Sequence, residues 1–355
     1  MKKFIALICA CLLLVGCGNN NSGEAQFDCT TLKVFNTGEY IDTYRISAFQ
    51  KKYGVKVIYD LFASNEEMYT RLLSGDKYDV IVPSDYMVER MIQEDFVEEI
   101  DWSLLSNGDA LMPAVKNREF DPEMKYSVPY FWGSVGIIYD KTEVDPADVE
   151  REGWNILQNT KYKGDIYLYD SERDMFMVAL KALGYSMNTT NEAELQEAYN
   201  WLVKVMNTMD PIIVTDEVID NVINGLKSIA VVYSGDATYM ISENENLVYY
   251  EPQQGTNIWT DAMVIGKGTA CPLLAHAWID YMLEEETAFD NSIHVGYTSV
   301  VQSVYDEISA DELVGYGGIS SYTARQEYEK DEEFHYNEHQ RKKIADLWTR
   351  VKAVQ

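Results

Sequence analysis

The first half of the chain alternates short apolar runs with stretches of helical periodicity. The apolar runs predict three strands, at 32–35, 55–59 and 78–82, and the segments after them predict three helices, at 42–53, 64–73 and 86–94. Two local signals mark helix boundaries: Gly54 ends the first helix, and Ser64 with Glu67 forms a capping box at the start of the second. Because the strands are too apolar to be wet on one face, the pattern predicts a parallel sheet covered on both sides.

A second block of the same kind follows. Its strands are predicted at 165–169, 229–233 and 262–265, and its helices at 172–184, 192–206, 273–283 and about 338–352. In open α/β sheets, ligands bind at the carboxyl ends of strands. The loops 36–40 and 83–86 lie at such ends and are therefore candidate site segments.

The chain starts with a pattern typical of an export signal. Lys2 and Lys3 precede an apolar run at 4–15, and Gly16 and Cys17 follow it. The run has about a dozen residues, whereas a bilayer span needs roughly 20, so it predicts a signal peptide over 1–16. The segment 14–17 resembles the cleavage site of bacterial lipoproteins, which implies a lipid on Cys17 and a flexible tether over 17–30. An ordinary secretory signal with a chance cysteine is the simpler alternative.

The charge of the chain is strongly negative. It has 58 acidic and 29 basic residues and a formal net charge of −29, and removal of Lys2 and Lys3 would leave about −31. Such a surface repels nucleic acid and anionic lipid, and it steers small cations inward. The hydrophobic content of 46% and aromatic content of 12% are globular values, and the length suits two domains. A merely solubilising role of the acidic surface remains an alternative.

Cysteine and histidine give few candidates for chemistry. Cys29 and Cys271 are the pair that would remain after export and lipidation, and their spacing leaves open whether they form a disulfide. With four histidines and no Cys/His cluster, the chain predicts no metal site. Glycine-rich nucleotide motifs and the HExxH and GxSxG motifs are absent, so no cofactor is predicted.

Several strand-end turns carry aromatic, hydroxyl or carboxylate side chains. They are Tyr40, Ser84 to Tyr86, Asp170 to Asp174, Tyr233 to Asp236, Trp259 to Asp261, and Gly296 with Tyr297. Aromatic faces attract cations and carboxylates pair with ammonium groups, so the set favours an elongated organic polycation. Taken singly, each turn has a simpler interpretation, since aromatic residues often edge the core and Asp often caps a helix.

Five segments in a fixed order resemble one family, the substrate-binding proteins of polyamine (spermidine/putrescine) ABC transporters. They are 32–40 (LKVFNTGEY), 54–59 (GVKVIY) with 64–66, 78–84 (YDVIVPS), 127–133 (SVPYFWG) and 179–186 (ALKALGYS). The similarity runs from about residue 31 to the end of the chain. The resemblance implies an α/β, two-domain periplasmic-binding-protein fold of type II (Venus-flytrap) with a ligand cleft between lobes. It implies one lobe from 31–133 with 261–306 and another from 134–260 with 307–355.

The resemblance also implies a set of ligand-binding residues. Asp174, Asp236 and Asp261 would bind amines; Tyr40, Tyr86, Tyr233, Trp259 and Tyr297 would form an aromatic box; Ser84 would add a hydrogen bond, and Asp85 is an extra carboxylate beside it. Three positions depart from the family. Thr37 stands where Trp is frequent, Ser171 where spermidine-type members carry Asp, and Phe334 or His335 where they carry Gln. Because Asp236 is typical of putrescine-preferring members, the choice between spermidine and putrescine stays open.

The function implied is binding, not catalysis. A monomer on the outer face of the cytoplasmic membrane would bind a polyamine and deliver it to an ABC permease, with no nucleic-acid partner. Two alternatives come from other features. Tyr249 and Tyr250 suggest ferric-ion binding, because paired tyrosinates ligate Fe³⁺. An exported glycosidase would need two carboxyl groups in one cleft, whereas three are proposed here.

Overall fold

The structure, a computed structural model, describes residues 27–311 and 315–354. The predicted signal peptide, Cys17 and most of the predicted tether lie outside these residues. The strands are β1 Thr31–Thr37, β2 Lys56–Phe62, β3 Val80–Ile81, β4 Val97–Glu98, β5 Ser127–Asp140, β6 Ile166–Tyr169, β7 Ile212–Val214, β8 Ile229–Tyr233, β9 Leu247–Tyr250, β10 Ile258–Gly266 and β11 Thr298–Ser299. The α-helices are α1 Thr43–Tyr53, α2 Asn65–Leu73, α3 Asp85–Gln93, α4 Pro146–Glu152, α5 Glu172–Leu183, α6 Glu192–Met209, α7 Val218–Ile223, α8 Ser234–Glu243, α9 Pro272–Met282, α10 Glu285–Val295, α11 Gln302–Ala310 and α12 Glu338–Lys352.

The strands form two sheets that share one long strand. The order β2-β1-β3-β10-β5 makes the first sheet, and β5-β8-β6-β7 makes the second. Strand β5 pairs with β10 up to Ser134 and with β8 from Val135 onward, so it passes from one sheet into the other. We call the first sheet with α1, α2, α3 and α9 the first lobe, and the second sheet with α5, α6, α7, α8 and α12 the second lobe. The chain therefore has the α/β, two-domain fold with a cleft between lobes.

The predicted helices are confirmed, with shifts of a few residues at their ends. Asp42 caps α1 by accepting from the Tyr44 amide, and Gly54 ends it with a φ of 68°. Ser64 accepts from the Glu67 amide at 3.1 Å, as the capping box predicts, although the Glu67 carboxylate accepts from Ala63 instead of Ser64. These helix ends depend on residues close in sequence.

No helix among the described residues has both the length and the apolar character needed to cross a bilayer.

The prediction of a purely parallel sheet is wrong. β1 pairs in parallel with β2 and β3, but β10 runs antiparallel to β3 and β5. The 14-residue β5 was not predicted as a strand, because its residues 127–139 are all buried and lack strand alternation. Two predicted turns are also corrected: 259–261 lies inside β10, and Ser234 begins α8 instead of a loop.

A disulfide joins Cys29 to Cys271, a pairing that the sequence left open. It ties the segment before β1 to the residue that precedes α9, across 242 residues of chain. The bond therefore lies at the amino end of β1. The predicted ligand-binding loop 36–40 lies at the opposite, carboxyl end of the same strand.

Candidate functional site

The predicted site residues meet where the two lobes face each other. Tyr40 follows β1 and Ser84 follows β3 in the first lobe, whereas Asp174 lies in the first turn of α5 and Tyr233 ends β8 in the second. Trp259 and Asp261 lie on β10, and Tyr297 stands between α10 and β11. The loop after β1 and the turn after β3 are thus at the carboxyl ends of strands, as expected for an α/β sheet.

Four aromatic rings form a continuous row through this region. Tyr40 contacts Tyr297 with ring centroids 5.4 Å apart, Tyr297 contacts Trp259 at 5.3 Å, and Trp259 contacts Tyr233 at 6.3 Å. Tyr169 extends the row beyond Tyr233 at 5.2 Å. The row offers ring faces and edges over the length of an extended alkyl chain.

Each of the three predicted amine-binding carboxylates accepts a hydrogen bond from a tyrosine of the predicted aromatic box. Tyr40 Oη donates to Asp261 Oδ2 at 2.6 Å, and Tyr233 Oη donates to Asp174 Oδ2 at 2.6 Å. Tyr297 Oη donates to Asp236 Oδ1 at 3.0 Å. An ionised carboxylate has about four acceptor sites, so one or two hydroxyl groups leave room for an ammonium group. The hydroxyls orient the carboxylates and neutralise none of them.

Burial raises the pKa of two of these carboxyl groups. The pKa of Asp236 rises to about 7, because burial and nearby Asp216 outweigh the hydrogen bond from Tyr297. Burial also raises the pKa of Asp261, against the hydrogen bonds from Tyr40 and Ser84 and the charge of Arg173. Loss of water thus penalises the charged form of both groups, and a bound cation would offset that penalty.

Two glycines allow the side chains of the site to approach this closely. A Cβ atom at Gly235 would lie 2.2 Å from the ring of Tyr297. One at Gly133 would lie 2.7 Å from the ring of Trp259. Since real Cβ atoms keep much larger distances, both positions need glycine for the rings to pack as they do.

Ser84 and Asp85 are neighbours in sequence but have different contacts. The Ser84 amide and hydroxyl bond to the amide side chain of Asn65, and Ser84 forms a β-bridge with Asp261. Asp85 is 1% exposed and accepts from the backbone of Tyr86 and of Thr260, at 2.6 and 3.3 Å. Its contacts are those of a residue that holds α3 against β10, so the ligand contact proposed for it stays a prediction.

The sequence analysis missed two charged residues beside Tyr86. Tyr86 Oη donates to Glu66 Oε1 at 3.2 Å, and the Arg173 guanidinium carbon lies 3.4 Å from the centroid of the Tyr86 ring. Arg173 precedes Asp174 in the sequence. The one sequence signal was a basic residue between two acidic ones at the start of the helix predicted at 172–184.

The structure does not bring the side chains of the tyrosine pair at 249–250 together at one site. In β9 Tyr249 and Tyr250 point to opposite faces, as adjacent strand residues do. Tyr249 is buried and hydrogen-bonds with Ser134, whereas Tyr250 donates to the backbone of Glu150. Among the described residues, no group of three or more His, Cys, Asp or Glu could hold a metal ion.

The sequence and the fold both match known proteins. Residues 75–314 match the family of bacterial extracellular solute-binding proteins, and residues 21–109 match a family of hypothetical lipoproteins. The chain belongs to the bacterial extracellular solute-binding protein family. Proteins of this family bind and transport solutes and are not enzymes, which disfavours the glycosidase alternative.

Several relatives share most of their length with this chain. The spermidine/putrescine-binding periplasmic protein of Escherichia coli strain K12 is 33% identical over 76% of this chain and 77% of its own. A solved structure of a spermidine/putrescine ABC transporter protein from Listeria monocytogenes is 35% identical. It has a TM-score of 0.79 and covers 92% of this chain and 100% of its own. The spermidine/putrescine substrate-binding protein of Streptococcus pneumoniae is 33% identical with a TM-score of 0.76, covering 92% and 99%.

Proposed function

We propose that this protein binds putrescine, spermidine or both in the cleft between its lobes and delivers them to an ABC permease for import. The observation that carries the proposal is the set of three Asp–Tyr hydrogen-bonded pairs along one row of aromatic rings. A polyamine has regularly spaced ammonium groups joined by methylene chains. Each ammonium needs a carboxylate because an unpaired buried charge is very costly, and each methylene chain needs an apolar wall. The names of the relatives support the same ligand class.

The proposed ligand residues fall into three roles. Asp174, Asp236 and Asp261 pair with amines, and Ser84 and Asp85 support or extend this polar set. The rings form the apolar wall, with Trp259 at the centre of the row. The proposed residues of this wall are Tyr40, Tyr86, Tyr233, Trp259 and Tyr297.

The lobe boundaries of the sequence analysis are part of the proposal. The change of partner in β5 between Ser134 and Val135 supports a crossing after 133. β10 pairs with β5 from Ile258 onward, which supports a second crossing close to 260. On this basis 31–133 with 261–306 move as one body and 134–260 with 307–355 as the other when the cleft opens.

The proposed location is the outer face of the cytoplasmic membrane, as a lipid-anchored monomer. Cys17 would carry the lipid, and the match of 21–109 to a lipoprotein family supports an anchored protein. Labelling of cells with radioactive palmitate should mark the wild-type chain. Cys17→Ser should lose the label and be released from the membrane fraction, and a retained label would contradict the anchor.

Calorimetric titration tests the ligand class directly. Putrescine and spermidine should each bind with a stoichiometry of one, and uncharged 1,4-butanediol should give no binding heat, because it lacks the ammonium groups. Asp220→Asn, at an exposed carboxylate of α7, is the matched control and should bind like wild type. Absence of heat with every polyamine at high protein concentration would contradict the proposed function. A tyrosinate-to-iron absorption band on adding Fe³⁺ would favour the iron alternative instead.

A further inference from the structure

Arg173 connects the two lobes. It belongs to α5 of the second lobe, and two of its partners, Tyr86 and Glu66, belong to α3 and α2 of the first. Its charge also acts on Asp174 of its own helix and on Asp261 of β10. The guanidinium carbon lies 3.4 Å from the centroid of the Tyr86 ring, and Nη1 lies 3.6 Å from Glu66 Oε1. The ring of Phe334 lies 5.3 Å away on another side.

The position of Arg173 is unfavourable for its own helix. It lies in the first turn of α5, where the helix dipole favours anions and disfavours a cation. The neighbouring Glu172 and Asp174 fit that dipole, and Arg173 does not. Its side chain is 27% exposed, so most of it is also removed from water. The contacts with Tyr86 and Glu66, which exist only when the lobes are together, help to offset these costs.

The three groups at this contact support one another. Glu66 Oε1 accepts from Tyr86 Oη at 3.2 Å and pairs with Arg173, so one carboxylate fixes both the ring and the cation. The guanidinium group over the ring adds a cation–π interaction, which arginine makes well because its charge is delocalised over a flat group. One face of the Tyr86 ring is therefore occupied by protein.

We propose that Arg173 is a closure residue, which joins the lobes through Tyr86 and Glu66 and strengthens ligand binding without touching the ligand. The inference rests on the proposed function, since it concerns closure around a polyamine. Contacts made only in the closed form raise the closed population, and the apparent affinity rises by the same factor. A cation that lined the ligand path would act in the opposite direction, because it would repel a polyamine.

The test measures affinity for two ligands of different length in Arg173→Met. The variant keeps an unbranched side chain of similar length and removes the positive charge and the planar guanidinium group. Its dissociation constants for putrescine and spermidine should both rise roughly 5- to 30-fold, and by the same factor, because the contact is between lobes. The loss should appear in the dissociation rate, measured by stopped-flow fluorescence.

Two further variants separate closure from general structure. Arg71→Met is the matched control: Arg71 lies 4.5 Å from the ring of Phe35 and pairs with Asp76, but all three belong to the first lobe. It should bind both ligands like wild type. Arg173→Lys keeps the charge and loses the planar guanidinium group, so its affinity for both ligands should lie between those of wild type and Arg173→Met. It replaces Arg173→Met as the test variant if the methionine variant does not fold.

The outcomes are distinct. Equal weakening for both ligands with a normal Arg71→Met supports the closure role. The closure role would be overturned if Arg173→Met bound both ligands as wild type does, bound them more tightly, or lost affinity for one ligand alone. In each of these cases, polyamine binding by the wild type would leave the proposed function intact. No binding by the wild type itself would overturn the proposed function, and the closure role with it.

Discussion

Replacement of Asp261 by asparagine is the sharpest test of the proposed amine contacts. Asp261 lies on β10, half-buried, and its Oδ2 accepts from Tyr40 Oη at 2.6 Å. Asparagine has the same shape and still offers an oxygen to the Tyr40 hydroxyl, so the fold and the ring row should persist. The change removes the negative charge and leaves the bound ammonium with a neutral partner.

The magnitude follows from the desolvation of this carboxylate. Burial raises the pKa of Asp261, which shows that the charged group is short of water and gains from a cation. Loss of one partner from a desolvated charge pair costs about 2–5 kcal/mol, which weakens binding by a factor of roughly 30 to several thousand. Tyr40→Phe removes only a neutral hydroxyl and should cost about 1 kcal/mol, or roughly fivefold.

Isothermal titration with putrescine measures both variants against wild type. Asp220→Asn, an exposed carboxylate of the same chemistry, controls for the change in net charge. We expect a melting temperature close to wild type in each variant without ligand. An Asp261→Asn dissociation constant within threefold of wild type would refute the reasoning, because the carboxylate would then not face an ammonium group.

Four more predictions follow: two concern pH, one the aromatic row and one the disulfide. Because burial raises the pKa of Asp236 to about 7 and a bound ammonium lowers it, polyamine binding at pH 6 should release protons and affinity should rise from pH 5 to 8. Asp236→Asn should reduce both effects and leave the contribution of Asp261, whose pKa burial also raises; a pH-independent wild type would contradict this. The raised pKa of Asp236 also stabilises the ligand-free fold below about pH 4, and this contribution is lost as pH rises through 7. In thermal scans without ligand, the melting temperature of the wild type relative to that of Asp236→Asn should therefore fall as pH rises from about 4 to 7. Trp259→Ala should weaken putrescine binding about 100-fold. Trp259→Phe should lose less affinity, because a ring face remains and the change removes a buried indole N–H that has no partner among the described residues. A lower melting temperature with unchanged affinity would assign Trp259 to packing alone. Cys29→Ser with Cys271→Ser should lower unfolding stability by about 5 kcal/mol in chemical denaturation with unchanged putrescine affinity, and an altered affinity would contradict the separation of the bond from the cleft.

The local features of the fold were predictable because their causes are local. The cap of α2 by Ser64 and the end of α1 at Gly54 depend on neighbours in sequence, and both are present. The last helix lies at 338–352, as its periodicity predicts. Strands β5 and β10 were missed or shortened because their residues are buried on both faces and their partners are distant in sequence.

The site was predictable as a set of residues, and its pairings were not. The bond between Tyr40 and Asp261 spans 221 residues, and those of Asp174 and Asp236 with their tyrosines span 59 and 61. Nothing in periodicity or spacing specifies such pairs. Arg173 was missed for a related reason, because its partners Glu66 and Tyr86 lie in the other lobe. Residue types indicated the ligand chemistry, and the topology determined which groups act together.

A crystal structure of the putrescine complex is the most direct test of the central claim. The account predicts one diamine between the lobes, with its methylene chain along the rings of Trp259 and Tyr297. Its nitrogen atoms should lie within about 3.2 Å of carboxylate oxygens drawn from Asp174, Asp236 and Asp261. A diamine bound outside this cleft, or one whose nitrogens contact none of the three aspartates, would contradict the account.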